Sequence, residues 1–506
     1  MMIALWTLLF ACSPTVDAPR WYFVRGGLLS EAAGRAPAFE AVAWTPGQAL
    51  ERGGVPLTAP QQAECRPIFS VPLGDVGDRI AAGGTAPDTA VAFSPDGRWL
   101  AVGDFGGVVH VVDGVTGRER IVRRLSEAVV KGVAWSVDGR TLYAAEQSPD
   151  ALVHALDPET LADRWTVRLA DRVGTSAVAP GDLYGVYTLP AALGLVPQAD
   201  GSLLVVATHA WNTDEGRRNA AAVLNVDAAG QIVAAWPPEG ALSATLVAAT
   251  PSPKGDAVAV AVSRSADGEA PRGLPIGGVQ VLRLPSLEPV GGVALEPLLP
   301  WYSRVYLWDT VAYAGDALWI GATDGRLARV DAASLALREL LPLGAPRELG
   351  GVPVVATLGH VRAAGDQLLA LTSESSIPFG SADPALRPPS LHPNENTLFA
   401  FDTQGQPRWS WRGPYAPQGM TVLGDALVVG AGARTSDQRR DLYGALVFRL
   451  NGEGTGDERL QTVCHTEGPV FFRQAVAADG RVALVELPFT TEAGALGGAY
   501  RVTVFR

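Results

Sequence analysis

The sequence predicts an all-β protein: a single closed β-propeller of about eight four-stranded blades, with seven as the alternative, closed by an amino-terminal strand. Three observations carry this. A hairpin signature recurs eight times, the second run of each copy is apolar nearly throughout, and a solitary β-prone segment stands ready to complete the last copy.

Each copy is a β-prone run, a tight turn with Asp-Gly or Gly-Asp, and a strongly apolar run. The turns lie at Asp96-Gly97, Asp138-Gly139, Asp200-Gly201, Gly255-Asp256, Gly315-Asp316, Gly365-Asp366, Gly424-Asp425 and Asp479-Gly480. Such dipeptides supply the positive φ angles of tight hairpins. The runs that follow, such as Ala257-Val-Ala-Val-Ala-Val262, have few polar residues because sheets cover both their faces. A second hairpin begins with runs ending in Asp or Asn, including Val108 to Asp113, Leu152 to Asp157, Arg326 to Asp331 and Thr397 to Asp402. Two hairpins make a four-stranded blade, and blades of this kind need about 40 to 50 residues. The final copy ends at Tyr500 to Arg506 one strand short, and Arg66 to Leu73 can supply that strand and remove an open edge.

Composition fits a turn-rich folded chain: 506 residues, 47% hydrophobic and 18% charged, with 57 Gly and 38 Pro. A net charge of −12 is the wrong sign for displacing counterions from phosphate backbones, so nucleic acid is not an expected partner.

The start, Met1 to Cys12, is a short apolar run, too brief to span a bilayer as a helix and suited to a signal-peptide core. Residues 1–12 are read as a signal peptide, 13–64 as a linker with some structure, and 65–506 as the propeller. Leu9-Phe10-Ala11-Cys12 resembles the bacterial lipobox, which implies lipidation of Cys12 and an exported chain. It would sit in the periplasm or on the cell surface, held to the outer membrane by that lipid alone. Cys65 and Cys464 are then left to bridge in an oxidising compartment or to remain thiols.

Ala92-Phe-Ser-Pro-Asp-Gly97 resembles WD-like and YVTN-type propeller repeats, and Phe401-Asp-Thr-Gln-Gly-Gln-Pro-Arg-Trp409 resembles quinoprotein-type (PQQ-like) repeats. The likeness covers residues 66 to 506 and specifies blades rather than chemistry. In outline the chain is also similar to the propeller lipoproteins of the outer-membrane barrel-assembly machinery.

Candidate function lies in the connections from second to third strands, which emerge on one face. Long ones are expected at Thr208–Arg218, Ser263–Gly277, Ser373–Asn396, Ala431–Leu442 and Pro488–Gly498. They carry His209, Trp211, Asp214, Arg217, Arg264, His392, Asn394, Glu395, Arg434 and Arg439, a mixture of charge and aromatic anchors suited to recognition. His360, in an inner strand, is expected to face the channel. The spacing of His209, His360 and His392 matches no ligand signature, so no metal and no cofactor is assigned. The glycine-rich segment 451–457 reads as a turn.

Two functions follow. One is a non-catalytic envelope scaffold, monomeric, binding a protein, peptide or glycan through its long loops. The other is a propeller enzyme, quinoprotein-like or lactonase- or hydrolase-like, with a site over the channel; no residue is assigned a catalytic role.

Overall fold

The computed structural model describes residues 20–24, 63–73, 90–127, 129–177, 188–263, 277–296, 309–377, 391–413, 415–431, 442–452, 454–490 and 496–506, together with residues 298 and 307. Eight four-stranded antiparallel blades make up the fold, the second and third joined by one pair, Ala191 with Gln147. Blade one is Ala90–Phe93, Trp99–Gly103, Val108–Asp113 and Glu119–Arg124. Blade two is Val129–Trp135, Leu142–Gln147, Leu152–Leu156 and Asp163–Arg168. Blade three is Ala191–Pro197, Leu203–Thr213, Gly216–Val226 and Ile232–Trp236. Blade four is Thr245–Pro251, Ala257–Ser263, Gly277–Arg283 and Pro289–Leu295.

The second half repeats the plan. Blade five is Val311–Ala314, Ala317–Gly321, Leu327–Asp331 and Leu337–Leu341. Blade six is Val352–Ala364, Gln367–Ser376, Thr397–Asp402 and Pro407–Arg412. Blade seven is Pro417–Leu423, Ala426–Ala431, Gly444–Arg449 and Leu460–His465. Blade eight takes Val470–Val476, Val482–Glu486 and Arg501–Phe505 from the carboxyl end, and Pro67–Pro72 from the amino end as its outer strand. The inner strand of each blade touches the next, and blade eight touches blade one, so the ring is closed.

The local cause is the turn. Glycines 97, 139, 201, 255, 315, 365, 424 and 480, one per blade, all have φ between 58° and 86°, the left-handed region that tight hairpins use. Where the turn reads Ser-x-Asp-Gly, the serine adds a lock: Ser94 Oγ donates to Asp96 Oδ1 at 2.6 Å and accepts from Trp99 N at 2.9 Å.

The packing unit is the interface between blades. Each apolar cluster joins two neighbours: Leu100 and Val102 pack toward blade eight, whereas Ala101 packs with Leu142 and Ala144 of blade two. Alternate residues of a second strand thus serve opposite interfaces, which is why these strands are apolar on both faces. Indole donors stitch the same seams, as Trp135 Nε1 donates to Ala92 O at 3.1 Å and Trp165 Nε1 to Ala228 O at 3.2 Å.

Closure combines several contacts. A disulfide joins Cys65, just before the closing strand, to Cys464 of blade seven, with Cα atoms 4.7 Å apart. From the turn of blade eight, the buried Arg481 donates to Gly97 O at 2.8 Å and to Gly114 O, both in blade one. Two further amino-terminal segments add parallel outer strands, Arg20–Val24 on blade four and Ala63–Glu64 on blade seven.

Two local expectations change. The segment Thr208–Arg218, expected as a loop, is the continuation of two 11-residue strands of blade three. The glycine-rich segment at 451–457 runs into one helical turn, Gly456–Arg459, because Thr455 and Glu458 form a capping box.

Candidate functional site: the channel and the loop face

The inner strands enclose a cavity of about 300 Å³ on the ring axis. Its wall includes Lys131 of blade two, Ala192, Leu193, Gly194 and Leu195 of blade three, His360 and Arg362 of blade six, Met420 and Thr421 of blade seven, and Gln474 of blade eight. Asp309, which precedes the first strand of blade five, also lines it. His360 and Arg362 alternate along one strand, so both side chains lie on the same face of the sheet. Asp309 pairs in parallel with His360, and Val361 N donates to Asp309 O at 3.1 Å.

This pairing sets the electrostatics. Arg362 Nη1 donates to Asp309 Oδ1 at 2.9 Å, and its Nη2 reaches Oδ2. Enclosure opposes ionisation of Asp309, yet the guanidinium beside it holds its carboxyl well below the usual carboxylate range. The side chain is half exposed, and that exposure is to the channel space. His360 Nδ1 is 3.8 Å from Asp309 Oδ2, beyond hydrogen-bonding reach, and is buried with no bonded partner.

On the loop-bearing face, the most prominent feature is the ribbon of blade three. The inner strand stops pairing with it at Thr208 and the outer strand at Val223, while the ribbon's own pairs continue to Thr213 and Gly216. Its tip, from Asn212 to Arg218, is exposed and carries Asp214 and Arg217. Arg218 pairs with Glu215. Trp211, partly exposed, stacks on His209 with ring centroids 4.2 Å apart.

His209 itself is buried at the root of the ribbon. Its Nδ1 lies 2.9 Å from Val173 O, and its Nε2 lies 2.7 Å from Ser176 Oγ and 3.0 Å from Thr188 O. Burial lowers its pKa. It therefore fastens the connection between blades two and three.

His392, Asn394 and Glu395, expected in an exposed loop, are buried instead. His392 Nε2 donates to Ala345 O at 3.0 Å and its Nδ1 accepts from Asn394 N at 3.0 Å, which fixes one neutral tautomer. Burial brings its pKa down to about 4. Asn394 Nδ2 donates to Leu343 O at 2.6 Å, and Glu395 Oε2 accepts from Ser375 Oγ at 2.7 Å. His392 and the Asn394 amide nitrogen thus bond carbonyls of the connection between blades five and six, and Glu395 bonds Ser375 of blade six. Arg264, Arg434 and Arg439 lie outside the described residues, as does Cys12.

The three histidines weighed as metal ligands do not converge, and no group of His, Cys, Asp or Glu with metal-holding geometry occurs among the described residues. Sequence reasoning missed Lys131, Asp309, Arg362 and Gln474. Lys131 and the His360-x-Arg362 pair had a legible signal, since charge at alternate positions of an apolar inner strand points to the axis.

No protein-family model matches the chain, and no curated protein matches it. Among solved structures it is similar to the carboxy-terminal WD40 domain of Sif2, at 11% identity over 88% of this chain and 98% of that one, TM-score 0.52. It is also similar to the computationally designed Ika8 protein, at 14% identity over 83% and 96%, TM-score 0.50. BamB from Moraxella catarrhalis aligns at 16% identity over 88% and 98%, TM-score 0.49. The fold shown is a β-propeller.

Proposed function

We propose that the chain is a non-catalytic envelope scaffold that captures a protein, peptide or glycan on its loop-bearing face. Residues 1–12 serve as its export signal, 13–64 as a linker and 65–506 as the propeller, with a lipid on Cys12 as its only membrane attachment. The observation that carries the reading is the ribbon of blade three, which extends past its neighbouring strands and presents an exposed polar tip beside Trp211. Residues free of packing duties and held on a rigid ring are suited to recognition.

The test is a photo-crosslinker placed at Asn212, followed by isolation from membranes. A discrete adduct that disappears on Arg217→Glu is the expected result, and an adduct-free chain counts against the face. Charge reversal at Arg434 and Arg439 is expected to weaken the same capture without changing melting. Labelling with a fatty-acid analogue tests Cys12 separately. A bound quinone in the absorbance spectrum, or a stoichiometric metal, would favour the enzyme reading instead.

A further inference from the structure

The amino-terminal strand has a direction, and that direction bears on how the ring stands at a membrane. Arg20–Val24 pairs in parallel with the outer strand of blade four, Arg20 opposite Gly291 and Val24 opposite Leu295. That outer strand follows the turn at 284–288, which sits beside the inner hairpin turn of the same blade, since Leu284 N donates to Asp256 O at 2.9 Å. It therefore runs from the face of the tight turns toward the face of the second-to-third connections, and the amino-terminal strand runs with it. The chain enters blade four from the turn face, opposite to the ribbon of blade three.

Reach decides what this direction permits. Gly291 stands opposite Val281, and Val281 opposite Ala259, the third residue of the second strand, so Arg20 lies at that level of its blade. The same level in blade three is Val205, and the ribbon rises eight residues further to Thr213, about 26 Å at roughly 3.3 Å per residue. Cys12 precedes Arg20 by eight positions, and a chain of that length spans about 26–29 Å when fully extended. A tether that leaves Arg20 toward the turn face must first reverse and then climb, so it falls short of the ribbon tip. The tip has no large apolar side chain to insert: residues 212–218 read Asn-Thr-Asp-Glu-Gly-Arg-Arg, and all are exposed. Such charge is costly to bring into hydrocarbon.

We infer that the loop-bearing face looks away from the membrane that holds the lipid, with the turns of blade four toward that membrane. The part of the partner that is captured then stands in the aqueous phase rather than within the bilayer. This rests on the Cys12 anchor proposed above.

The test places a photo-crosslinking amino acid at Lys254, exposed in the inner hairpin turn of blade four, or at Asn212, in the chain held on phosphatidylcholine vesicles by its own lipid. Mass spectrometry then counts phospholipid adducts. The Lys254 probe is expected to give at least about fivefold more adducts than the Asn212 probe, because the short tether holds the tip clear. A flexible Gly/Ser spacer of about thirty residues inserted after Asp17 is expected to bring the two within about twofold, since it frees the ring to turn over. Equal adducts at the two positions of the parent chain, or more at Asn212, would overturn the inference, as would a ratio that the spacer leaves unchanged. If no fatty-acid label is found, the anchor reading fails by itself. Cys12, the only cysteine outside the disulfide, is then coupled to a maleimide-bearing phospholipid and the same ratio is read. Partner capture by the ribbon is scored separately, so either idea can fail alone.

Discussion

His154 and His392 are both buried, yet protonation pulls on them in opposite directions. Burial works against the charged form of His154, but Glu146 at 3.1 Å and Asp163 at 2.7 Å outweigh it and raise its pKa. Its folded-state pKa is above the unfolded value, so its contribution is full below about 6.5 and is lost as pH rises through the raised value. His392, at about 4, is the reverse: its contribution is present above about 6.5 and is lost as pH falls toward 4, by about 3 kcal/mol. Melting followed across pH should therefore show an acid limb that flattens in His392→Asn and a neutral-to-alkaline decline that flattens in His154→Gln. Unchanged limbs would assign the slopes to other groups. Removing His154 also leaves Glu146 without its buried counter-charge, a loss of about 3 kcal/mol in chemical denaturation.

One glycine has a specific reason at this scale. Gly230 has a φ of 84°, and a Cβ there would lie 2.6 Å from Trp165 Cγ, whose indole bonds the same turn. Gly230→Ala is expected to cost about 1–3 kcal/mol, measured by urea denaturation.

At the scale of elements, the eight inner hairpins were legible because a local demand, positive φ at the turn, coincides with an apolar run after it. The second-to-third connections of blades three and six were not. A two-stranded ribbon satisfies its backbone without an apolar core, so Asn212 to Arg218 carries no strand-like hydrophobic signal. Conversely, the polarity of His392, Asn394 and Glu395 suggested solvent, whereas the His392 ring, Asn394 Nδ2 and Glu395 Oε2 bond carbonyls and a serine within the fold. Because Ala210 and Asn219 are directly paired, replacing residues 211–218 with a two-residue Asn-Gly turn should leave the ring intact. Circular dichroism and melting should stay close to those of the parent chain, while crosslinked capture is lost; retained capture would move the binding surface elsewhere.

For the whole molecule, stability depends on a ring that is closed by its own ends. The pair Cys65 and Cys464 is separated by 399 residues in sequence and ties the segment before the closing strand to blade seven. Cys464→Ser is expected to lower stability by about 2–5 kcal/mol under oxidising conditions and to make the melt insensitive to reductant, as seen by calorimetry with and without dithiothreitol. Equal melting of the two proteins would mean that strand pairing and Arg481 suffice for closure.

The amino-acid order alone determined the blade: turn chemistry and two-sided apolar strands are written within about 40 residues, and each copy carries them whatever its neighbours do. It also marked Arg66 to Leu73 as the segment able to complete the last blade, where the strand Pro67–Pro72 pairs. Only the tertiary structure decided which polar groups meet. Asp309 and Arg362 are 53 residues apart, and Lys131 reaches the same cavity from blade two, because a closed ring brings distant inner strands onto one axis. Such convergence depends on the angle between blades, a quantity that no local stretch of sequence encodes.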